Sequence, residues 1–156
     1  MQQIAPYLPQ LTPGLRKALM SWHSWRDDPV LPPRFDRMRI GDITSLGLPL
    51  SISEARRDPR TGEPCDFLVV YVCPQVRGLA LGRNEGTLLS ERPHTRPGSP
   101  TFAANVAAVT TGKAQFLDAS GERGVLRYKT LLGIVLPMLG LTGSVDFAIT
   151  AVYIEP

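Results

Sequence analysis

The residues with which this chain could do chemistry are few and scattered. Among its 156 residues are two cysteines and two histidines. Cys65 and Cys73 are not in Cys-x-x-Cys spacing, and no second Cys or His group completes a zinc set. The apolar run between them gives no tight bend for a disulfide, so reduced thiols and a cytoplasmic location are expected. His23 falls on a helical stretch and His94 sits between Pro93 and Thr95 in a polar loop. They do not cluster with each other or with carboxylates, so no metal is expected. Ser, His and Asp all occur, but no nucleophile elbow or paired-acid motif frames them. A non-enzyme is expected, with a small α+β enzyme whose site is assembled in space as the rival. Gly78, Gly82 and Gly86 recur at four-residue intervals without the Lys of a phosphate-cradling loop. They read as punctuation between short helical turns.

The whole-chain numbers agree with one folded domain. The length is enough to bury a core, and 43% apolar with 20% charged residues is ordinary for a globular protein. The net charge of +3 is small, and its basic excess lies diffusely between Met1 and Arg60. No basic stripe with interleaved aromatics marks a nucleic-acid partner. The N-terminus lacks the basic start and apolar core of a secretory signal. The longest apolar run, Leu131 to Leu141, is too short to span a membrane and carries Gly133, Pro137 and Gly140.

Elements that could position a site follow from period and punctuation. Residues 1–11, with Pro6 and Pro9, read as an extended lead-in to a domain over residues 12–156. Thr12 and Pro13 start a helix as N-cap and first-turn proline. Leu15, Leu19, Trp22 and Arg26 share one face of it, with Ala18 and Trp25 beside them. Asp27-Asp28-Pro29 stops it. Trp22 and Trp25 either pin this helix to the rest of the fold or dock it on a second copy. The prolines of residues 29–41 favour an extended crossing segment, a proline-rich ligand for another domain being the alternative. Asp42 to Leu46 makes a helical turn. Leu50 to Ala55 alternates as a half-buried strand does, Arg56 to Pro64 is a hairpin loop, and Phe67 to Cys73 is a buried strand. Ser99-Pro100 opens a second helix that Gly112 ends, with Phe102, Val106 and Val109 on one face. Ala114 to Asp118 is a short strand. Val125 to Tyr153 is an antiparallel hairpin around a turn at Gly140 to Ser144.

Two strands, a helical crossover and three strands is the order of a PAS domain. The chain resembles a bacterial PAS-like family at Trp22 with Trp25-Arg26, Leu31-Pro32-x-Arg34-x-Asp36, Gly82-Arg83 with Gly86, Tyr128-x-x-Leu131-Leu132 and Leu136-Pro137-Met138. It departs from the family at Val72 to Gly78, where an Arg-x-x-Gly-Thr type run is usual, and at Met138, where Leu is. The resemblance covers roughly Leu11 to Tyr153. It implies an α+β fold: a five-stranded antiparallel sheet with helices on one face and an N-terminal amphipathic helix. Some members hold a ligand between helices and sheet, and others hold only side chains.

The cofactors known from such domains find no match here. In the Gly82-Arg83-Asn84-Glu85 run, Glu85 stands where flavin adduct chemistry needs a Cys. Neither histidine lies on the helix that would carry a haem ligand. No cofactor is expected.

If a cavity exists, period-two and helical-face reasoning lines it with Phe67, Val69, Tyr71, Leu79, Leu81 and Arg83 from the first half. Phe102, Val106, Tyr128, Leu132, Ile134, Phe147 and Ile149 would complete it. Tyr71, Tyr128 and Arg83 would orient a small ligand. The expectation is a sensory or regulatory module that acts through a protein partner or as a homodimer, with a filled-core dimerisation module as the alternative. Pro137 cannot donate to a ladder, so it should sit at an edge or a bulge.

Overall fold

A computed structural model describes residues 4–35, 40–74, 85–120 and 130–155. Helix α1 spans Pro13–Ser24. The Thr12 hydroxyl accepts the Leu15 N–H at 3.3 Å, and Leu15, Ala18, Leu19 and Trp22 form its buried stripe. A short helix α2 covers Ile40–Thr44. Strands β1 (Leu50–Arg57) and β2 (Pro64–Val72) form the first hairpin. Helix α3 spans Pro100–Thr111. Ser99 Oγ accepts the Phe102 N–H at 3.1 Å, and Gly112 ends the helix at φ +69°, a left-handed conformation that glycine adopts without a Cβ penalty. Strands β3 (Gln115–Asp118), β4 (Thr130–Leu139) and β5 (Val145–Glu155) follow.

The strands make one antiparallel sheet in the order β2-β1-β5-β4-β3. The last strand therefore lies between β1 and β4, so the sheet is complete only when both halves of the chain are present. The α+β class and the antiparallel five-stranded sheet are as the sequence leads one to expect.

Directly paired residues of antiparallel strands share a face. One face carries Ser53, Phe67, Val69, Gln115, Leu117, Gly133, Val135 and Ala148 by this rule. Helix α3 lies on it: Ser53 Oγ donates to Asn105 Oδ1 at 3.0 Å, and the Phe67 ring meets Phe102 edge-on at 5.6 Å. The other face carries Leu50, Ile52, Phe116, Ile134, Leu136, Met138, Phe147 and Ile149. The N-terminal layer covers that face. Tyr7 stacks on Phe116 with centroids 4.4 Å apart, and Phe35 stacks on Phe147 at 4.1 Å. Residues 133–139 of β4 are buried on both sides.

Two expectations need correcting. The lead-in is not extended where it is described: Ala5–Gln10 is a 3-10 turn, which presents Tyr7 to the sheet. The face of the closing hairpin that carries Leu132, Ile134, Phe147 and Ile149 looks at the N-terminal layer, while Leu131 and Val135 belong to the α3 face. Alternation says which residues travel together along a strand. It does not say which helix they meet.

Pro137 lies in a strand with neighbours on both sides, yet it costs no ladder bond. Strand β3 stops pairing at Val135, so β4 beyond that point has a free edge. Trp22 Nε1 donates to the Pro137 carbonyl at 2.8 Å, and two residues on the Leu139 N–H donates to Pro33 O at 2.8 Å. A register shift between Met138 and Leu139 ends the regular pairing with β5. The expected crossing segment thus closes the exposed stretch of β4 through an isolated parallel bridge, Arg34 to Leu139. Trp22 pins α1 to the sheet, which is the first of the two roles open for it.

Candidate functional site

The interface between α3 and the sheet is built from small and apolar residues with three polar exceptions. Phe67, Val69, Val135 and Ala148 come from the sheet, and Phe102, Ala108 and Val109 from the helix, all of them buried. Ser53, Asn105 and Gln115 are buried with them. An uncharged polar group inside a protein is tolerable when its hydrogen bonds are made, and most of these are. Asn105 accepts from Ser53 and donates from Nδ2 to the Thr101 carbonyl at 2.9 Å. Gln115 Nε2 donates to the Lys113 carbonyl at 3.0 Å and to Thr111 Oγ1 at 3.3 Å. Gln115 Oε1 is left without a partner among the described residues.

These polar groups are neutral amides and a hydroxyl. They can orient a bound molecule, but they cannot exchange protons near neutral pH. Among the described residues, no group of three or more His, Cys, Asp or Glu is placed to hold a metal ion. Cys65 is exposed and Cys73 buried, and both are free. The Cys73 sulfur accepts the Leu50 N–H at 3.2 Å.

The structure divides the sequence-derived cavity list across the sheet. Phe67, Val69, Phe102 and Val106 meet on the α3 side. Tyr71, Leu132, Ile134, Phe147 and Ile149 are on the opposite face. Leu79, Leu81, Arg83 and Tyr128 lie outside the described residues. The separation of Tyr71 from Phe67 and Val69 has a local cause. Ser53 pairs with Val69 and Ile52 with Tyr71, so Val70 is an extra residue in β2 and the alternation changes phase there. Ser53, Asn105 and Gln115 escaped sequence reasoning. Asn105 carried a signal, since it stands among the apolar residues of its helix. Ser53 read as the solvent-facing half of an alternating strand.

His94 is half-buried in the loop before α3. Its Nε2 has no partner among the described residues. Burial, and secondarily the charge of Arg92, hold its pKa below the usual imidazole value. The loop is tied to β2 through Asp66, whose carboxylate accepts from the Ser90 hydroxyl and, at 3.3 Å, from the Ser90 N–H.

A concavity lies away from that loop, where α1 ends. It has a volume of about 340 Å³ and opens between the C-terminal end of α1 and the α3–β3 turn. Trp22, His23, Arg26, Val30 and Lys113 line it. Arg26 is fixed beside it. Its Nε donates to the Leu31 carbonyl at 3.0 Å, Nη2 to the Pro29 carbonyl, and Nη1 to His23 Nδ1 at 3.0 Å. The guanidinium carbon sits 5.1 Å from the centre of the Trp22 ring. The Trp22–Trp25–Arg26 motif and the Leu31-Pro32 segment are thus one structural unit, in which Arg26 holds the chain reversal after α1.

No family model matches this chain, and no curated protein does. Among solved structures, a crystal structure of a sensory box sensor histidine kinase from Vibrio cholerae matches with a TM-score of 0.50. The identity is 14%, over 69% of this chain and 82% of that one. The likeness is one of fold. The chain has a PAS-like fold, and membership of the bacterial family suggested by its short motifs does not follow from it.

Proposed function

We propose that this chain is a PAS-like sensory or regulatory module, non-catalytic, which reads a small molecule or a protein partner through the interface between α3 and the sheet. The observation that carries the reading is the buried polar pair Ser53–Asn105, set in that interface with the unpartnered Gln115 Oε1 on the same face. A few hydrogen-bonding groups among apolar walls are the polar part of a specific small-molecule site, the other part being a cavity that opens between them. The likeness to a sensory box structure supports the class of function. A dimerisation module with a filled core is the second reading, and the edge-on packing of Phe67 on Phe102 favours it.

Native mass spectrometry with an absorbance spectrum of freshly purified protein tests both. A mass above the bare 17.1 kDa chain, or saturable thermal stabilisation by members of a small-molecule library, supports the ligand reading. Bare mass, no stabilisation and a two-fold assembly at micromolar concentration overturn it in favour of the dimerisation module.

A further inference from the structure

The cleft at the end of α1 has a polarity of one kind. Its lining contains Arg26, His23 and Lys113 and no carboxylate. A guanidinium can only donate, so the Arg26–His23 contact makes His23 Nδ1 the acceptor and places the imidazole proton on Nε2. His23 is then a neutral donor, in keeping with a pKa lowered by burial and by Arg26. Arg26 keeps N–H groups beyond those given to its three acceptors. Two carboxylates follow Arg26 in sequence, Asp27 and Asp28, and neither lines the cleft; Asp28 has Oδ1 turned to the Val30 and Leu31 amides, at 2.7 and 3.0 Å, while lying close enough for the Arg26 charge to help lower its pKa. The rest of the wall is apolar: Ile4, Trp22 and Val30. Val30 is 79% exposed, an apolar side chain at the mouth of an apolar cleft.

We propose that this cleft binds a small monocarboxylate with an apolar body, its carboxylate on the Arg26–His23–Lys113 rim and its body against Trp22 and Val30. The volume, about 340 Å³, suits a small ligand. A singly charged anion fits better than a phosphate. Helices α1 and α3 both end here, and their carbonyl ends oppose any anion and a dianion more strongly, so the rim donors have less to offset for a single charge. The site is distinct from the α3–sheet interface and does not depend on what that interface binds.

The test is a titration of the full ¹⁵N-labelled chain with hexanoate and benzoate, set against the neutral hexanamide and benzamide. The carboxylates should shift the amide signals of Val30, Gly112, Lys113 and Ala114 saturably, and more tightly than the amides do. Lys113 is exposed, so Lys113→Gln should keep the fold and weaken carboxylate binding about threefold. Val30→Asp, which puts a carboxylate in the wall, should weaken it further. Equal binding of acids and amides, an unchanged affinity in Lys113→Gln, or no saturable shift at these four positions would each overturn the proposal. In those cases Arg26 and Lys113 only neutralise helix ends. Shifts centred on Ser53 and Asn105 would also overturn it and would instead favour the site on the other face.

Discussion

The hydrogen bond from Trp22 to Pro137 is open to direct measurement. Phenylalanine at position 22 keeps an aromatic ring and removes the indole N–H, which lies 2.8 Å from the Pro137 carbonyl in a buried setting. That carbonyl faces the side where β3 has already ended, so no strand neighbour can replace the donor. Leaving a buried acceptor unpaired costs about 1–3 kcal/mol, and the smaller ring adds about 1 kcal/mol of lost burial. Trp22→Phe should therefore destabilise the protein by about 2–4 kcal/mol. For a chain of this size that lowers the melting temperature by roughly 4–16 °C. Urea unfolding followed by far-UV circular dichroism gives the free energy without relying on tryptophan emission. Trp25 is half-buried and no hydrogen bond is described for its indole, so Trp25→Phe is the control and should cost less than about 1 kcal/mol. If Trp22→Phe falls within about 0.5 kcal/mol of the parent, the closure of the β4 edge by α1 is not what stabilises this region.

Other perturbations test other parts of the argument. Ser53→Ala leaves Asn105 Oδ1 buried without its donor and should cost about 1–3 kcal/mol; a double-mutant cycle with Asn105→Ala should show that the two losses are not additive. Gly133→Ala puts a Cβ 2.8 Å from the Ala151 carbonyl oxygen and 3.1 Å from Val152 Cγ1, and should lower stability by roughly 1–3 kcal/mol in the same urea assay. His23 and His94 both have folded-state pKa values below the ordinary 6.5. Their contribution is present in full above about pH 6.5 and is lost as pH falls through the depressed folded values. Stability measured from pH 7.5 to 5 should decline, and His94→Gln should flatten part of that slope; a slope unchanged in this variant would remove His94 as its source.

Much of the fold was legible because local signals and burial agreed. Thr12-Pro13 and Ser99-Pro100 start helices where they should, and Gly112 ends α3 in the conformation that favours glycine. The strands of the two hairpins were marked by β-favouring runs and turn residues. The partition of residues between faces was not legible. Val70 shifts the phase of β2 by one residue, and no residue type announces such a bulge. The face of the hairpin that meets α1 depends on the whole strand order, since both faces are apolar and both are covered. The candidate site suffered most from this. A list assembled by alternation mixed Phe67 and Phe102 with Ile134 and Ile149, which stand on opposite sides of the sheet. Ser53 and Asn105 were passed over because a serine in an alternating strand resembles a surface residue until a helix is placed above it.

The bond between Trp22 and Pro137 also bears on how the chain is made. Its partners are 115 residues apart. At a synthesis rate of about 5–20 residues per second, the stripe of Leu15, Leu19 and Trp22 waits roughly 6–23 s before β4 exists to receive it. Over that interval the apolar stripe of α1 lacks the strand that receives it, and the sheet cannot supply a substitute, because β5, which joins β1 to β4, follows β4 in the chain. Nascent chains stalled before Thr130 should stay open to protease at α1, and released full-length chains should be protected there. The contacts that close the finished fold are those that leave its first helix longest exposed.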